Sequence, residues 1–551
     1  MSARWLDPSA ASPRGLARMA VAAAVIAGVA HAWRWRFLCD DAYISFRYAR
    51  NFARHGELAF NVAPLERVEG YTNFLWVVVL GVLDRVGVAP EHAAIALGLA
   101  SLVAVLLCAA ALVQRLGGEA HTQWFALLAV ASCAASPEVV VWGTSGLETA
   151  AASAAVLATM VAWYDARPRS AALAAAAAVL LRPDAVVLLG AWAATWLLLA
   201  AIDRFAQPWP GRTPPSRREL AVAAVLAIGP VVAHLLWRRA YYGTWVPNTW
   251  AVKAHGAALR EAWGVAYVHA WSTATWLPYL PWILPLLRRR ALPLLAAAAA
   301  MVAYAWSVGG DFMAYSRFLL TATVLLAVLF ALALQRGAEL LAARSQRPRP
   351  VFAGALVLGV LAVAGMSWSA SSRWHADRRK PDGWLEGRWE GVTAMARFAE
   401  VGRAAGTWMR EHLPADTLIT VGAAGAVPYA SELPTIDAFG LVDPVIASLD
   451  PLPLRTGESV RPGHQLFAPP EYIRSRDPDL VCHAGMRGKA PPREADARPP
   501  FRGGYAWACV QPGPGAAIGP DGEAFDPGVY CCRRPRDRVV GPFGAAEVDG
   551  D

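Results

Sequence analysis

Two adjacent carboxylates, Asp40 and Asp41, open the segment CDDAYISFRYARNFARHGELAFNVAPLERVEGYTN, which runs from Cys39 to Asn73. They follow the first apolar run of the chain directly, and Arg47, Arg50, Glu66, Arg67 and Glu69 share the segment with them. Ionisable side chains at a membrane edge are costly and mark sites or pathways. A carboxylate beside a bound phosphate can take the proton of an acceptor hydroxyl, which is general-base chemistry. Guanidinium groups nearby can neutralise that phosphate.

Four further stretches combine Gly, Asn or Pro with aromatics and one or two charges. They are PEVVVWGTSGLET (Pro137–Thr149), Arg182-Pro183-Asp184, YYGTWVPNTWAVK (Tyr241–Lys253) and VGGDFMAYSRF (Val308–Phe318). Arg47, Arg182, Lys253 and Arg317 are the candidate phosphate ligands. Glu69, Tyr71, Asn73, Glu148, Asn248 and Asp311 are the candidate sugar or acceptor contacts, since carboxylates and amides bond hydroxyls and aromatic faces pack on sugar rings. Each position also has a plainer role open to it. Glu148 can cap the helix that starts at Thr149, Asp311 can pair with Arg317, and Asn248 can hold a turn.

These loops need a frame. The chain has 551 residues, 56% hydrophobic and 17% charged, which is too apolar for a soluble domain and calls for membrane spans. The net charge of +9 lies in short clusters between apolar runs, the positive-inside pattern, so nucleic acid is excluded as a partner. Arg4, Arg14 and Arg18 precede the apolar stretch Met19–Ala32. It reads as an uncleaved first span with Trp33 and Trp35 as interfacial anchors, a signal peptide being the alternative. Phe74–Val88, short and carrying Asp84 and Arg85, is expected to lie in the interface. Further spans are then expected near 92–113, 122–136, 149–165, 170–181, 184–202, 220–237, 275–287, 291–308, 318–335 and 351–369. That gives about eleven spans, with the basic loops inside and the five chemistry-bearing stretches outside.

The expected architecture is a multi-span α-helical membrane domain over 1–370 and an extracytoplasmic soluble α/β domain over 371–551, with an unstructured tail after 533. In that second part Phe398–Glu411 reads as a helix. Thr417–Val421 reads as a buried strand entering the turn GAAG, and Asp479–Cys482, Trp507–Val510 and Val529–Cys532 read as strands. Cys39, Cys108 and Cys133 belong with the apolar runs as small hydrophobes. Cys482, Cys509, Cys531 and Cys532 fit no zinc spacing and allow one or two disulfides on an oxidising face.

At this level the chain resembles a known family. DDAYISFRYARNFARHGELAFN followed by RVEGYTNFLW is similar to the first outer loop of the mycobacterial terminal β-(1→2) arabinofuranosyltransferases and of their flagellar motor control relatives. TSGLET, LLRPDA, YYGTWVPNTWAVK, GGDFMAYSRFLL, TIDAFGLVDPVIA and RPGHQLFAPPEYI follow in that family's order, from about Asp40 to about Cys482. The resemblance implies a GT-C glycosyltransferase of the bacterial inner (cytoplasmic) membrane, multi-pass, with its active site and C-terminal domain on the extracytoplasmic face. Its donor would be a polyprenyl-phospho-sugar and its acceptor a cell-envelope polysaccharide or lipid-linked glycan. In such enzymes the first outer loop carries the catalytic Asp, here Asp40 or Asp41. Asp40 is the expected base. Asp41 would orient the acceptor or hold a divalent cation if one is used, and no other cofactor is implied. The sugar would be a pentofuranose such as arabinofuranose if the family's own is kept. A flippase for lipid-linked sugars and a non-catalytic scaffold are the alternatives. A flippase is expected to show mid-membrane charges and inverted repeats, and neither is seen in this sequence.

Overall fold

The computed structural model describes residues 13–62, 65–118, 121–202, 213–254, 257–275, 277–380, 384–385, 389–449 and 466–544. Its membrane part opens with the helices α1 (Pro13–Arg34), the charged α2 (Asp40–His55), α3 (Phe74–Arg85), α4 (Pro90–Leu116) and α5 (Thr122–Ala135). There follow α6 (Thr149–Tyr164), α7 (Pro168–Leu181), α8 (Ala185–Ile202), α9 (Arg217–Tyr242), α10 (Asn248–Ala254) and α11 (Ala257–Ala274). The part closes with α12 (Leu292–Ser307), α13 (Leu320–Ala342) and α14 (Pro348–Arg379). Helix α13 is apolar on all sides, and every residue from Leu320 to Ala333 is buried, so it forms the centre of the bundle. Helices α4, α5, α12 and α14 pack around it.

Among the described residues seven helices are long and apolar enough to cross a membrane. There are eight if α5 and the segment Pro137–Gly143, bent 77° apart, make one broken span. The protein is a multi-pass membrane protein. The expected count differs for identifiable reasons. Helices α6 and α7 are apolar but short. The stretch expected to span at 275–287 forms only the short pieces Leu277–Tyr279, Leu280–Ile283 and Leu284–Leu286. Pro278, Pro281 and Pro285 each remove a backbone donor there, so no continuous helix can form. Helix α3 is short of a span, as expected of Phe74–Val88, and packs along α2. Trp35, expected as an interfacial anchor, is buried, and its indole donates to His31 at 2.9 Å.

Helix α14 continues past residue 370 to Arg379 before the C-terminal α/β part, expected to be soluble, begins. That part starts with α15 (Val392–His412), followed after the first strand by the short helix α16 (Ala426–Ser431). Its five-stranded sheet contains β1 (Ile419–Val421), β2 (Thr435–Asp437), β3 (Leu480–Gly488), β4 (Tyr505–Val510) and β5 (Val529–Pro535), in the order β2-β1-β3-β5-β4. β1 pairs in parallel with β2 (Ile419 opposite Thr435) and with β3 (Ile419 opposite Leu480). β5 is antiparallel to both β3 and β4. Disulfides join Cys482 to Cys532 and Cys509 to Cys531, so neighbouring residues of β5 fasten it to the strands on either side. The chain after 533 is not a loose tail as far as Gly544. β5 runs to Pro535, Arg534 is buried, and Val540 bridges to Phe543.

Two sets of contacts separate the ends of the bundle. Arg115 pairs with Asp165, Arg288 pairs with Glu339, and the Tyr164 hydroxyl donates to the Arg290 carbonyl. The Cys39–Asn73 segment, the Arg182 turn and the Val308–Phe318 loop gather instead beneath the C-terminal α/β part.

Candidate active site

Helix α2 organises the site. Cys39 is extended, and its N–H donates to the Ser145 carbonyl at 3.2 Å, which fixes where the helix starts against the TSGLET loop. Asp40 and Asp41 fill the first turn, where carboxylates meet free N–H groups and the positive end of the helix dipole. Gly56, at φ +73°, closes the helix in a left-handed conformation suited to glycine.

The two aspartates have different surroundings. Asp40 Oδ1 accepts the Ala426 N–H at 2.9 Å, at the first residue of α16. Gly425 lies so close that any Cβ there would collide with the Asp40 backbone oxygen and carboxylate. Burial, reinforced by the Asp41 charge, raises the Asp40 carboxyl to about 6 despite that hydrogen bond. The Asp41 side chain is 39% exposed and stands 3.9 Å from Arg317 Nη2.

Arg47, expected at the donor phosphate, is instead a buried clamp. Nε donates to the Phe60 carbonyl at 2.6 Å, and Nη2 to Asn61 Oδ1 at 3.0 Å and the Leu433 carbonyl at 2.8 Å, while Nη1 donates to the Pro428 carbonyl. Arg50 and Arg54 share its helix face and reach Glu432 at 3.2 and 2.9 Å. A carboxylate at the start of α16 and cations at its end suit the helix dipole. Helix α2 is therefore the seat on which the soluble part docks.

The other expected residues fall into three groups. Asn73 donates to Glu148 Oε2 at 2.7 Å and to Ser45 Oγ at 3.0 Å. Glu148 accepts from Arg182 Nη1 at 3.1 Å, and Arg182 also grips Asp184 through Nε and Nη2 at 3.0 and 2.5 Å. Arg182 is thereby held more firmly protonated than a free arginine against the cost of its burial, by Asp184 first and Glu148 second. Asp311 binds Arg317 Nε and accepts the Phe312 N–H at 2.8 Å. Arg317 Nη1 and Nη2 make no hydrogen bond to the described residues. Arg182, Arg317 and Phe318 line a cleft whose walls continue as Val156, Leu188 and Met301.

Asn73, Glu148 and Asp311 stand behind that cleft as partners of one another or of its arginines, and Glu69, Tyr71 and Asn248 do not line it. Glu69 is buried against Arg238, with Nε 2.6 Å and Nη2 3.0 Å from its carboxylate. The Tyr71 hydroxyl meets that of Tyr242 at 3.1 Å. Asn248 donates to the carbonyls of Gly440 and Leu441 at 2.7 and 3.1 Å, fastening α10 to the soluble part. Lys253 belongs to α10, and its side chain lies outside the described residues. Among the described residues no group of three or more His, Cys, Asp or Glu side chains is arranged to hold a metal ion.

Gly425, Tyr315 and Asp377 were not expected at this site. The GAAG turn was legible as a turn, but nothing local says that an aspartate from residue 40 packs on its last glycine. Asp377 sits in the basic helix end RWHADRRK, where a lone acid was the available signal.

A family model described as a domain of unknown function (DUF8728) matches residues 390–511. No curated protein matches the chain. Among solved structures, the chain is similar to ArnT from Cupriavidus metallidurans bound to undecaprenyl phosphate. Identity is 14% and the TM-score 0.48, over 77% of this chain and 86% of that one. It is also similar to the Archaeoglobus fulgidus oligosaccharyltransferase tethered with an acceptor peptide, at 13% identity and TM-score 0.46 over 76% and 64% of the chains. Arabinosyltransferase EmbB from Mycobacterium smegmatis follows at 15% and 0.35, over 72% and 41%. At such identities the functional reading rests on the side chains themselves.

Proposed function

We propose that this protein is a membrane glycosyltransferase that moves one sugar from a polyprenyl-phosphate donor to an extracytoplasmic envelope glycan. The observation that carries the reading is the cleft. It brings together Arg317 and Arg182 with the apolar side chains of Val156, Leu188 and Met301, and Arg317, whose Nη1 and Nη2 make no hydrogen bond to the described residues, stands 3.9 Å from the partly exposed carboxylate of Asp41. A lipid phosphate needs that combination: charge neutralisation at its head and apolar contact for its first isoprene units.

Asp41 is the better-placed base, a change from the expectation that Asp40 fills this role, because Asp40 is engaged with Ala426. In the reaction the Asp41 carboxylate takes the proton of the acceptor hydroxyl as its oxygen attacks the anomeric carbon. The bond from that carbon to the phosphate oxygen breaks, and the polyprenyl phosphate leaves with its charge met by Arg317. Arg182 is the second cation of the cleft, held in place by Asp184 and Glu148. The docked soluble part would hold the acceptor above Asp41. The site and the soluble part would face outward, with the Arg115 and Arg288 end in the cytoplasm. A pentofuranose such as arabinofuranose is the sugar this reading favours, on the sequence resemblance alone.

Mass spectrometry of envelope glycans and polyprenyl-phospho-sugars, from cells with and without the gene, tests this. Loss of one terminal sugar together with build-up of its donor supports the reading. Unchanged glycans and donors would contradict it.

A further inference from the structure

The loop that carries Arg317 is bent into conformations a free chain avoids. Gly309 and Gly310 have φ of +86° and +65°, and Tyr315 and Ser316 follow at +62° and +43°. Non-glycine residues persist in this region only where their surroundings hold them there. Three sets of contacts do so. The Ala314 N–H donates to the Glu390 carbonyl and the Glu390 N–H to the Phe312 carbonyl, each at 2.9 Å. The Trp142 indole donates to the Tyr315 carbonyl at 2.8 Å, and the Trp35 ring stands edge-on to Tyr315 at 5.0 Å. The Tyr315 hydroxyl donates to Asp377 Oδ2 at 3.0 Å.

Asp377 is 1% exposed and does more than receive that bond. Its two oxygens also accept the N–H groups of Val392 and Thr393, both at 2.8 Å, in the first turn of α15. A Cβ at Gly391 would press on the same carboxylate. One buried carboxylate therefore joins the end of α14, the start of the soluble part and the strained loop that ends in Arg317.

We propose that Asp377 is a positioning residue that makes the donor site depend on the docked soluble part. It acts through Tyr315: with α15 seated, its carboxylate fixes the tyrosine, and the tyrosine fixes the bend that aims Arg317 into the cleft. The inference rests on the reading of that cleft as a donor-phosphate site, and Arg317→Gln separates the two claims.

The experiment measures undecaprenyl phosphate binding to the full-length purified chain in detergent. It compares wild type, Tyr315→Phe, Arg317→Gln, the double variant and Asp377→Asn. Tyr315→Phe keeps the ring against Trp35 and deletes only the hydroxyl. It should weaken binding roughly threefold to tenfold, the size of one hydrogen bond. On the Arg317→Gln background the same change should do almost nothing, because its effect passes through that guanidinium. Asp377→Asn should weaken binding at least as much as Tyr315→Phe. Wild-type affinity for Tyr315→Phe, or an equal loss on both backgrounds, would overturn the proposal. Wild-type affinity for Arg317→Gln would overturn the donor-site reading and this inference with it.

Discussion

Asp40 caps a helix that begins 386 residues later in the chain: its Oδ1 accepts the Ala426 N–H at 2.9 Å, while the next residue, Asp41, stands 3.9 Å from Arg317 Nη2. Adjacent residues on a helix point about 100° apart, so two neighbouring carboxylates can take unrelated jobs. One joins the soluble part to the membrane part. The other, beside Arg317, is the base of the proposed reaction.

The docking role makes Gly425 sensitive. Gly425→Ala places a methyl group on the Asp40 carboxylate and backbone oxygen, so the contact must open. The variant should melt earlier and be cleaved faster between residues 380 and 392 in limited proteolysis. Proteolysis and melting identical to wild type would show that α16 does not dock through Asp40.

The pH dependence follows from the same contact. The folded Asp40 pKa is raised to about 6, against an unfolded value of about 3.9, so the folded state binds the extra proton between those pH values. The carboxyl therefore costs stability once ionised, and that cost is relieved as pH falls from about 6 to about 4. Asp40→Asn is permanently neutral. The melting temperature of wild type relative to this variant should rise as pH is lowered through that window and stay level above about pH 7. A difference that does not change with pH would remove Asp40 from the buried setting described.

Arg47 separates stability from binding. Arg47→Ala strips donors from the buried carbonyls of Phe60, Pro428 and Leu433, at about 1–3 kcal/mol for each unsatisfied group. Thermal melts should show a marked loss of stability, while the folded fraction keeps its undecaprenyl phosphate affinity. A stable Arg47→Ala protein with lost affinity would return Arg47 to the donor site.

Much of the frame was legible in the sequence because apolar runs and turn residues act locally. Loops carrying Asp41, Asn73, Glu148, Arg182, Asp311 and Arg317 were recognisable by type, and the fold brings them to one end of the bundle. What stayed hidden were long-range partners. Nothing near Arg47 announces Leu433, and nothing near Glu69 announces Arg238. A buried arginine that satisfies carbonyls looks, in sequence, like one waiting for a phosphate. The expected spans and the long apolar helices among the described residues part where backbone chemistry overrides composition, as with the three prolines between Leu277 and Leu286.

The cysteines are checked by peptide mapping without reduction. Cys531 and Cys532 are adjacent, yet they should link to Cys509 and Cys482 respectively, closing loops of 22 and 50 residues. Chain-entropy arguments give such links about 2–4 kcal/mol each. Reduction should therefore lower the melting temperature of the soluble part. The opposite pairing, or free thiols, would contradict the strand order around β5.

The central claim is that Asp41, and not Asp40, handles the acceptor proton. The direct measurement is turnover of a polyprenyl-phospho-sugar by purified Asp40→Asn and Asp41→Asn, with melting temperatures recorded alongside. Asp41→Asn should fold and bind undecaprenyl phosphate like wild type while losing about 10²–10⁴-fold in rate, the usual cost of removing a general base. Asp40→Asn should keep turnover within about tenfold, with its effect confined to stability and to the pH behaviour described above. Near wild-type turnover by Asp41→Asn, with activity abolished in a stably folded Asp40→Asn, would contradict this account.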